Sequence, residues 1–205
     1  MKRIGIVLGL VASVALAGCG GKDPAPAPAP PAAVATPTAT ASPGAASPST
    51  SPSADAAVEF TVDGAGPYQL GADLTTLQAT PGLGEVAQGA APCPQTTTAR
   101  GTGAWAEVDL SFHADGVLYL AVNRSASIPT PSGAWVGSRL AELKKIYAGI
   151  PGEDLARGTA KAYLVTTISG RGILFDLGTG GRVVAMMAGE SGYLKTSFVG
   201  GKGFC

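Results

Sequence analysis

Between Pro24 and Ala54 the chain carries no charge and no aromatic side chain, and its alphabet is almost wholly Pro, Ala, Thr and Ser. Pro24, Pro26, Pro28 and Pro30 alternate with Ala. Proline fixes φ and removes a backbone donor, and such a stretch buries too little apolar surface to offset the entropy of ordering it. It reads as a disordered spacer, partly polyproline II. Its reach lies between about 30 Å as a coil and about 95 Å extended. Two uses stand side by side: a stalk that holds a domain off a membrane, with a Ser/Thr–Pro composition open to O-glycosylation, or a neutral tether of no required length. Any core must come from residues 57–205.

The opening residues divide into a basic head, Lys2-Arg3, an apolar run from Ile4 to Ala17, and Leu16-Ala17-Gly18-Cys19. A bilayer span needs about 20 apolar residues, so this shorter run reads as a secretory signal. Leu16-Ala17-Gly18-Cys19 resembles the lipobox of bacterial lipoproteins. The resemblance implies a signal peptide over 1–18, a diacylglyceryl group on the Cys19 thiol, cleavage before Cys19, and acylation, with palmitate, of the new amino terminus. Residues 19–56 are then a lipidated terminus and linker, in a bacterial cell envelope on the exported side. Two acyl chains suffice for stable anchoring. Without Lys2 and Arg3 the chain has 12 basic and 14 acidic residues, so no polybasic patch assists the lipid.

Formal net charge is +0, which gives no electrostatic footprint for nucleic acid. One His and three Cys cannot supply a zinc-finger set or a multi-histidine site. No metal and no cofactor are expected.

The folded part carries an internal repeat. Residues 68–77 resemble 134–143 at an offset of 66, with Leu70, Gly71, Leu74 and Leu77 on Val136, Gly137, Leu140 and Leu143. At the same offset Leu118 and Leu120 fall on Val184 and Met186. Each unit reads as a helix followed by strands. Asp73 caps the first helix and Pro81-Gly82 stops it; Ser138 caps the second, Glu142 falls one place late for a capping box, and Gly149-Ile150-Pro151 stops it. Val108, Leu110 and Phe112 alternate with Glu107, Asp109 and Ser111, and Asp115-Gly116 turns the chain into a return strand over 117–123. Further strands are expected at 161–169, 173–177, 182–188 and 193–199, with turns at 170–172 and 178–181. The fold class is α+β, a tandem of two helix-on-antiparallel-sheet units, 57–130 and 131–205. Tandem units that open with an apolar–Gly pair before a short helix resemble the β-lactamase inhibitor protein architecture and small lipoproteins of high-GC bacteria. That resemblance implies a protein that binds other proteins; no inhibitory residue is matched.

With Cys19 lipidated, Cys93 and Cys205 remain in an oxidising setting. A bridge between them is expected; free thiols or intermolecular pairs are the alternatives. No catalytic constellation is legible in the sequence. His113 reads as a turn histidine beside Asp115, and Gly189-Glu190-Ser191-Gly192 is not a nucleophile elbow. Glu107 with Asp109 on a strand, and Glu153-Asp154 in a loop, read as solvated carboxylates. No catalytic residue is expected. Asn123-Arg124-Ser125 matches a glycosylation sequon by chance. Trp105, on the polar phase of its strand, and Tyr119, out of phase with Leu118 and Leu120, are candidate partner contacts, unless another part of the fold covers them. Trp135 is expected to staple the two units.

The expectation is a membrane-anchored, non-enzymatic binding or structural module whose partner, beyond the bilayer, is an envelope protein or wall polymer. An inhibitor of an envelope or secreted enzyme is the alternative, a hydrolase a more remote one.

Overall fold

A computed structural model describes residues 58–201 and 203–205. The signal, Cys19 and the Pro/Ala segment lie outside the described residues. The alternation at 108–112 does what period two predicts: Val108, Leu110 and Phe112 are fully buried, while Asp109 and Ser111 stand on the opposite face. They belong to an antiparallel eight-stranded sheet in the order β4-β5-β6-β7-β11-β10-β9-β8. Its strands are β4 (Gly84–Gln88), β5 (Thr97–Arg100), β6 (Val108–Phe112), β7 (Leu118–Asn123), β8 (Gly152–Arg157), β9 (Ala160–Thr166), β10 (Arg171–Leu177) and β11 (Val183–Glu190). Three two-residue strands, β1 (Phe60–Thr61), β2 (Gly64–Ala65) and β3 (Tyr68–Gln69), form a second small sheet. Helices α1 (Leu74–Ala79), α2 (Leu140–Ile146) and α3 (Ser191–Gly200) complete an α+β fold.

The large sheet has two apolar faces. On the first, Phe60, Tyr68, Leu77 and Leu143 pack against Leu110, Phe112, Phe175 and Met186, so the small sheet, α1 and α2 all cover this side. Tyr68 is fully buried, and its hydroxyl donates to Gly82 O (3.0 Å) and accepts from Thr102 N (2.8 Å). On the second face, Leu194 and Phe198 of α3 sit on Leu155, Leu164, Leu174 and Met187.

The two helix entries are held alike. Gly71 N donates to Leu118 O, Leu118 N to Ala72 O, and Leu74 N to Gly116 O. Gly137 N donates to Val183 O, Val183 N to Ser138 O, and Leu140 N to Gly181 O. The helix positions keep the offset of 66, but the strand positions are 65 apart. Leu118 therefore matches Val183, which is buried, and not Val184, which is 48% exposed. Both strands carry a bulge at this point, between Ser111 and Phe112 against β7 and between Asp176 and Leu177 against β11. The bulge also explains why Tyr119 is out of phase: it is the extra residue between Leu118 and Leu120.

Several expectations are corrected. Residues 193–199 form helix α3, not a strand. Glu190 caps it by accepting from Gly192 N and Tyr193 N, Leu194 and Phe198 one turn apart give it a buried side, and Gly201 closes it at φ 68°. The cap of α2 is Arg139, not Ser138. Glu142 then stands at the right spacing and its carboxylate accepts from Arg139 N (2.7 Å), while the Ser138 hydroxyl turns back to accept from Trp135 N. Glu153 and Asp154 lie on edge strand β8, not in a loop. Trp135 is 46% exposed beside Gly137 and does not staple the fold. Asp73 does cap α1, and its bonds from Thr75 Oγ1 and Thr75 N hold its carboxyl below the usual carboxylate range.

Candidate functional site

The second face is covered unevenly. Helix α3 packs over β8 to β11, and Lys195 on its flank reaches both carboxylate oxygens of Glu153 on the edge strand at 2.8 Å. Asp154, one residue on and so on the other face, pairs with Lys144 of α2 at 2.6 Å. Both carboxylates of that expected acidic pair therefore clamp helices. Over β4 to β7 no helix sits on the second face among the described residues. What remains is a groove of about 500 Å³, floored by Leu120, Val122 and Met187 and walled on one side by Phe204.

Across the open half runs a charged ladder that steps from β4 through β5 and β6 to the end of β7. Glu85 on β4 pairs with Arg100 on β5 at 3.4 Å, and Arg100 Nε donates to Asp109 Oδ1 on β6 at 3.2 Å. Arg124, just beyond β7, pairs with the other oxygen of Asp109. Both guanidiniums are more than half exposed, at 53% and 55%, and retain unused donors. Glu85 takes φ 48°, the one positive value at a non-glycine residue among the described residues, where β4 bulges. The sheet register explains why this half stays polar. Arg100 faces Asp109 as Leu164 faces Leu174; the leucines are the seat of α3, and charges occupy the matching places where water is the neighbour.

At one end of the groove lies an aromatic clasp. His113 stacks on Tyr119 (4.0 Å, 17°), Tyr119 meets Tyr193 edge-on (5.5 Å), and Tyr193 meets Phe204 (6.4 Å). Tyr119 OH donates to Phe204 O at 3.1 Å. Burial pushes both tyrosine hydroxyls above the ordinary range, and for Tyr193 the neighbouring Tyr119 adds to it. Cys93 and Cys205 are bridged, with Cα atoms 5.2 Å apart, which pins this tail to the loop between β4 and β5.

The two aromatics proposed from sequence do not share a face. Trp105 ends a 3-10 turn (Gly103–Trp105) rather than lying on a strand, and its ring packs over Gly66 against the first core. The turn resets the phase that the alternation presumed to run back from Val108. Tyr119 is packed on the second core. His113 is at the hairpin mouth as expected, its N–H donating to Val117 O, and Ser191 is spent in the first turn of α3. Asn123 is fully buried and its amide is committed to Ser125 and Ile128 carbonyls, so the sequon is a structural turn. Sequence reasoning missed Arg100 and Arg124: β5 reads Thr-Thr-Ala-Arg, with too little apolar pattern to mark a strand, and the signal lies in cross-strand register alone.

Among the described residues no group of three or more His, Cys, Asp or Glu could hold a metal, and no helix is long and apolar enough to cross a membrane. Asp176 sits on the second face between Ala185 and Ala162. Burial raises its carboxyl above the usual range, partly offset by the Leu177 N–H and by Arg124 and Arg157. A raised folded pKa costs stability above the unfolded value of about 3.9 and nothing below it. Asp176→Asn is therefore expected to raise Tm at neutral pH, with the gain shrinking to nothing as pH falls through the folded and then the unfolded pKa; thermal unfolding at stepped pH checks this.

No family model and no curated protein matches the chain. Among solved structures it is similar to an extracellular protein containing an SCP domain from Bacillus anthracis strain Ames, at 12% identity and a TM-score of 0.43. The match covers 62% of this chain and 46% of that one, so the chain spans less than half the length of that protein.

Proposed function

We propose that the protein is a bacterial lipoprotein, tethered to the membrane through Cys19, whose domain is a non-enzymatic binding or structural module of the cell envelope. The observation that carries the module reading is the open half of the second face. Its arginines are oriented by carboxylates before any partner arrives, over an apolar floor, and pre-organised Arg beside apolar surface is the composition of protein-binding hot spots. We further read 57–130 and 131–205 as two copies of one helix-then-four-strand unit. The matched hydrogen bonds at both helix entries and the matched bulges support this. So does the seam between β7 and β11, where Ala121 faces Ala188, Val122 faces Met187 and Asn123 faces Met186, pairs that exchange when the units are interchanged.

The anchor is tested by cell fractionation of Cys19→Ser. The wild type is expected in the membrane pellet and the variant outside it. A variant that still pellets overturns the lipid anchor, and turnover of an envelope substrate abolished by one side-chain change overturns the non-enzymatic reading.

A further inference from the structure

We propose that the open half of the second face pairs with the same half of a second copy of this chain. This rests on reading that half as a binding surface and names its partner. The ladder Glu85, Arg100, Asp109, Arg124 reads minus, plus, minus, plus across β4, β5, β6 and the end of β7. Read backwards it is plus, minus, plus, minus. A two-fold axis lying between two stacked sheets and parallel to their strands reverses the order. It sets Arg100 against Asp109 of the second copy at one level, with the converse pair by symmetry, and turns Glu85 toward Arg124, which stands two residues along from that row, so each charge faces an opposite one. Isologous interfaces require this self-complementarity. The complement of an alternating row is another alternating row, and a second copy of the chain supplies one.

The layers agree with this arrangement. Stacked sheets, and helices on sheets, lie about 10 Å apart. Helix α3 already occupies that layer over β8 to β11. A second sheet laid over β4 to β7 occupies the same layer beside it and clears α3, because the axis at β5 and β6 carries each α3 past the β4 edge of the other copy; the tail that carries Phe204 bounds the patch at its hairpin end. Each copy thus covers the half-face the other leaves open, and each α3 flanks an edge strand that is otherwise unpaired. Four strands about 4.8 Å apart and five residues of about 3.3 Å each make a small patch. The pairing is accordingly weak and salt-sensitive, and tethering both copies to one membrane raises their effective concentration.

The test places a photo-crosslinking amino acid at Thr98, which is exposed on this face two residues before Arg100, in the full chain in its native envelope. The expected product has twice the chain mass and contains this chain alone. Arg100→Glu and Asp109→Arg each set like charges across the two-fold, and each is expected to lower the yield by about tenfold or more. Co-expression of the two variants restores it, because the mixed pair is complementary again; circular dichroism of each confirms folding. Loss without restoration in trans overturns the self-pairing. A crosslink to a different protein overturns it and leaves the binding reading standing, whereas no crosslink at Thr98 overturns both.

Discussion

Replacing Cys93 and Cys205 together by Ser is expected to lower the stability of the domain by about 4–5 kcal/mol and its Tm by roughly 10–20 °C. The two residues are 112 apart in sequence, so in the unfolded chain the bridge closes a long loop, and the chain-entropy term grows with the logarithm of that length. The native side of the comparison matters as well. The bridge holds the tail through which Phe204 walls the groove and accepts from Tyr119, and the tail is otherwise rich in glycine, which loses most freedom when ordered. Urea unfolding of wild type and double variant, monitored by tyrosine fluorescence, measures the difference. A loss below about 1 kcal/mol would refute the chain-entropy account, because that term acts on the unfolded chain whatever holds the native tail.

Asn123→Asp is the second large effect, expected to cost about 3–5 kcal/mol at neutral pH. Asn123 is fully buried. Its amide nitrogen donates to Ile128 O (3.0 Å) and Ser125 O (3.4 Å), and its oxygen accepts from Ser125 N (2.8 Å). An aspartate of the same shape turns an oxygen toward two carbonyl oxygens and adds a charge in a fully buried place. Burial and those carbonyls raise its folded pKa above the unfolded value of about 3.9. The penalty is therefore full above the folded pKa and shrinks as pH falls, because a protonated carboxyl donates to one carbonyl again. Asn123→Ala is expected to cost less, about 2–3 kcal/mol, with no such pH dependence. Denaturant unfolding of both variants from neutral to acid pH separates them, and equal costs at every pH would refute the charge argument.

Much of the fold was legible where one strand face is buried and the other is wet. Strands β6, β7, β9, β10 and β11 follow apolar alternation or runs closed by Asp115-Gly116, Gly170 and the glycines at 178–181. The offset of 66 in the helix entries was legible too, because Gly71 and Gly137, at φ 93° and 114°, both need a backbone that other residues resist. The edges were not. On β4 and β5 the exposed residues outnumber the buried ones, so there is no apolar rhythm to read. Helix α3 read as a strand because Tyr193, Thr196, Phe198 and Val199 favour strands locally, and packing on Leu164 and Leu174 overrides that preference. The ladder was half visible: Asp109 was singled out as a carboxylate, but its partners Arg100 and Arg124 come together with it through strand register. Trp105 lies off the strand phase set by Val108 because a 3-10 turn breaks that phase.

The seam between β7 and β11 consists of three residue pairs, whereas β10 meets β11 over seven. Within each run of four strands, neighbours in the sheet are neighbours in the chain, so those pairings close short loops and form early. The seam closes a loop of some sixty residues, from Ala121–Asn123 to Met186–Ala188. Contacts that distant pace folding. Refolding is therefore expected to be paced by the closing of this seam, and β7, an inner strand of the native sheet, is an open edge wherever the seam is not made; stopped-flow refolding of a seam variant such as Val122→Ala, slowed relative to wild type, checks this.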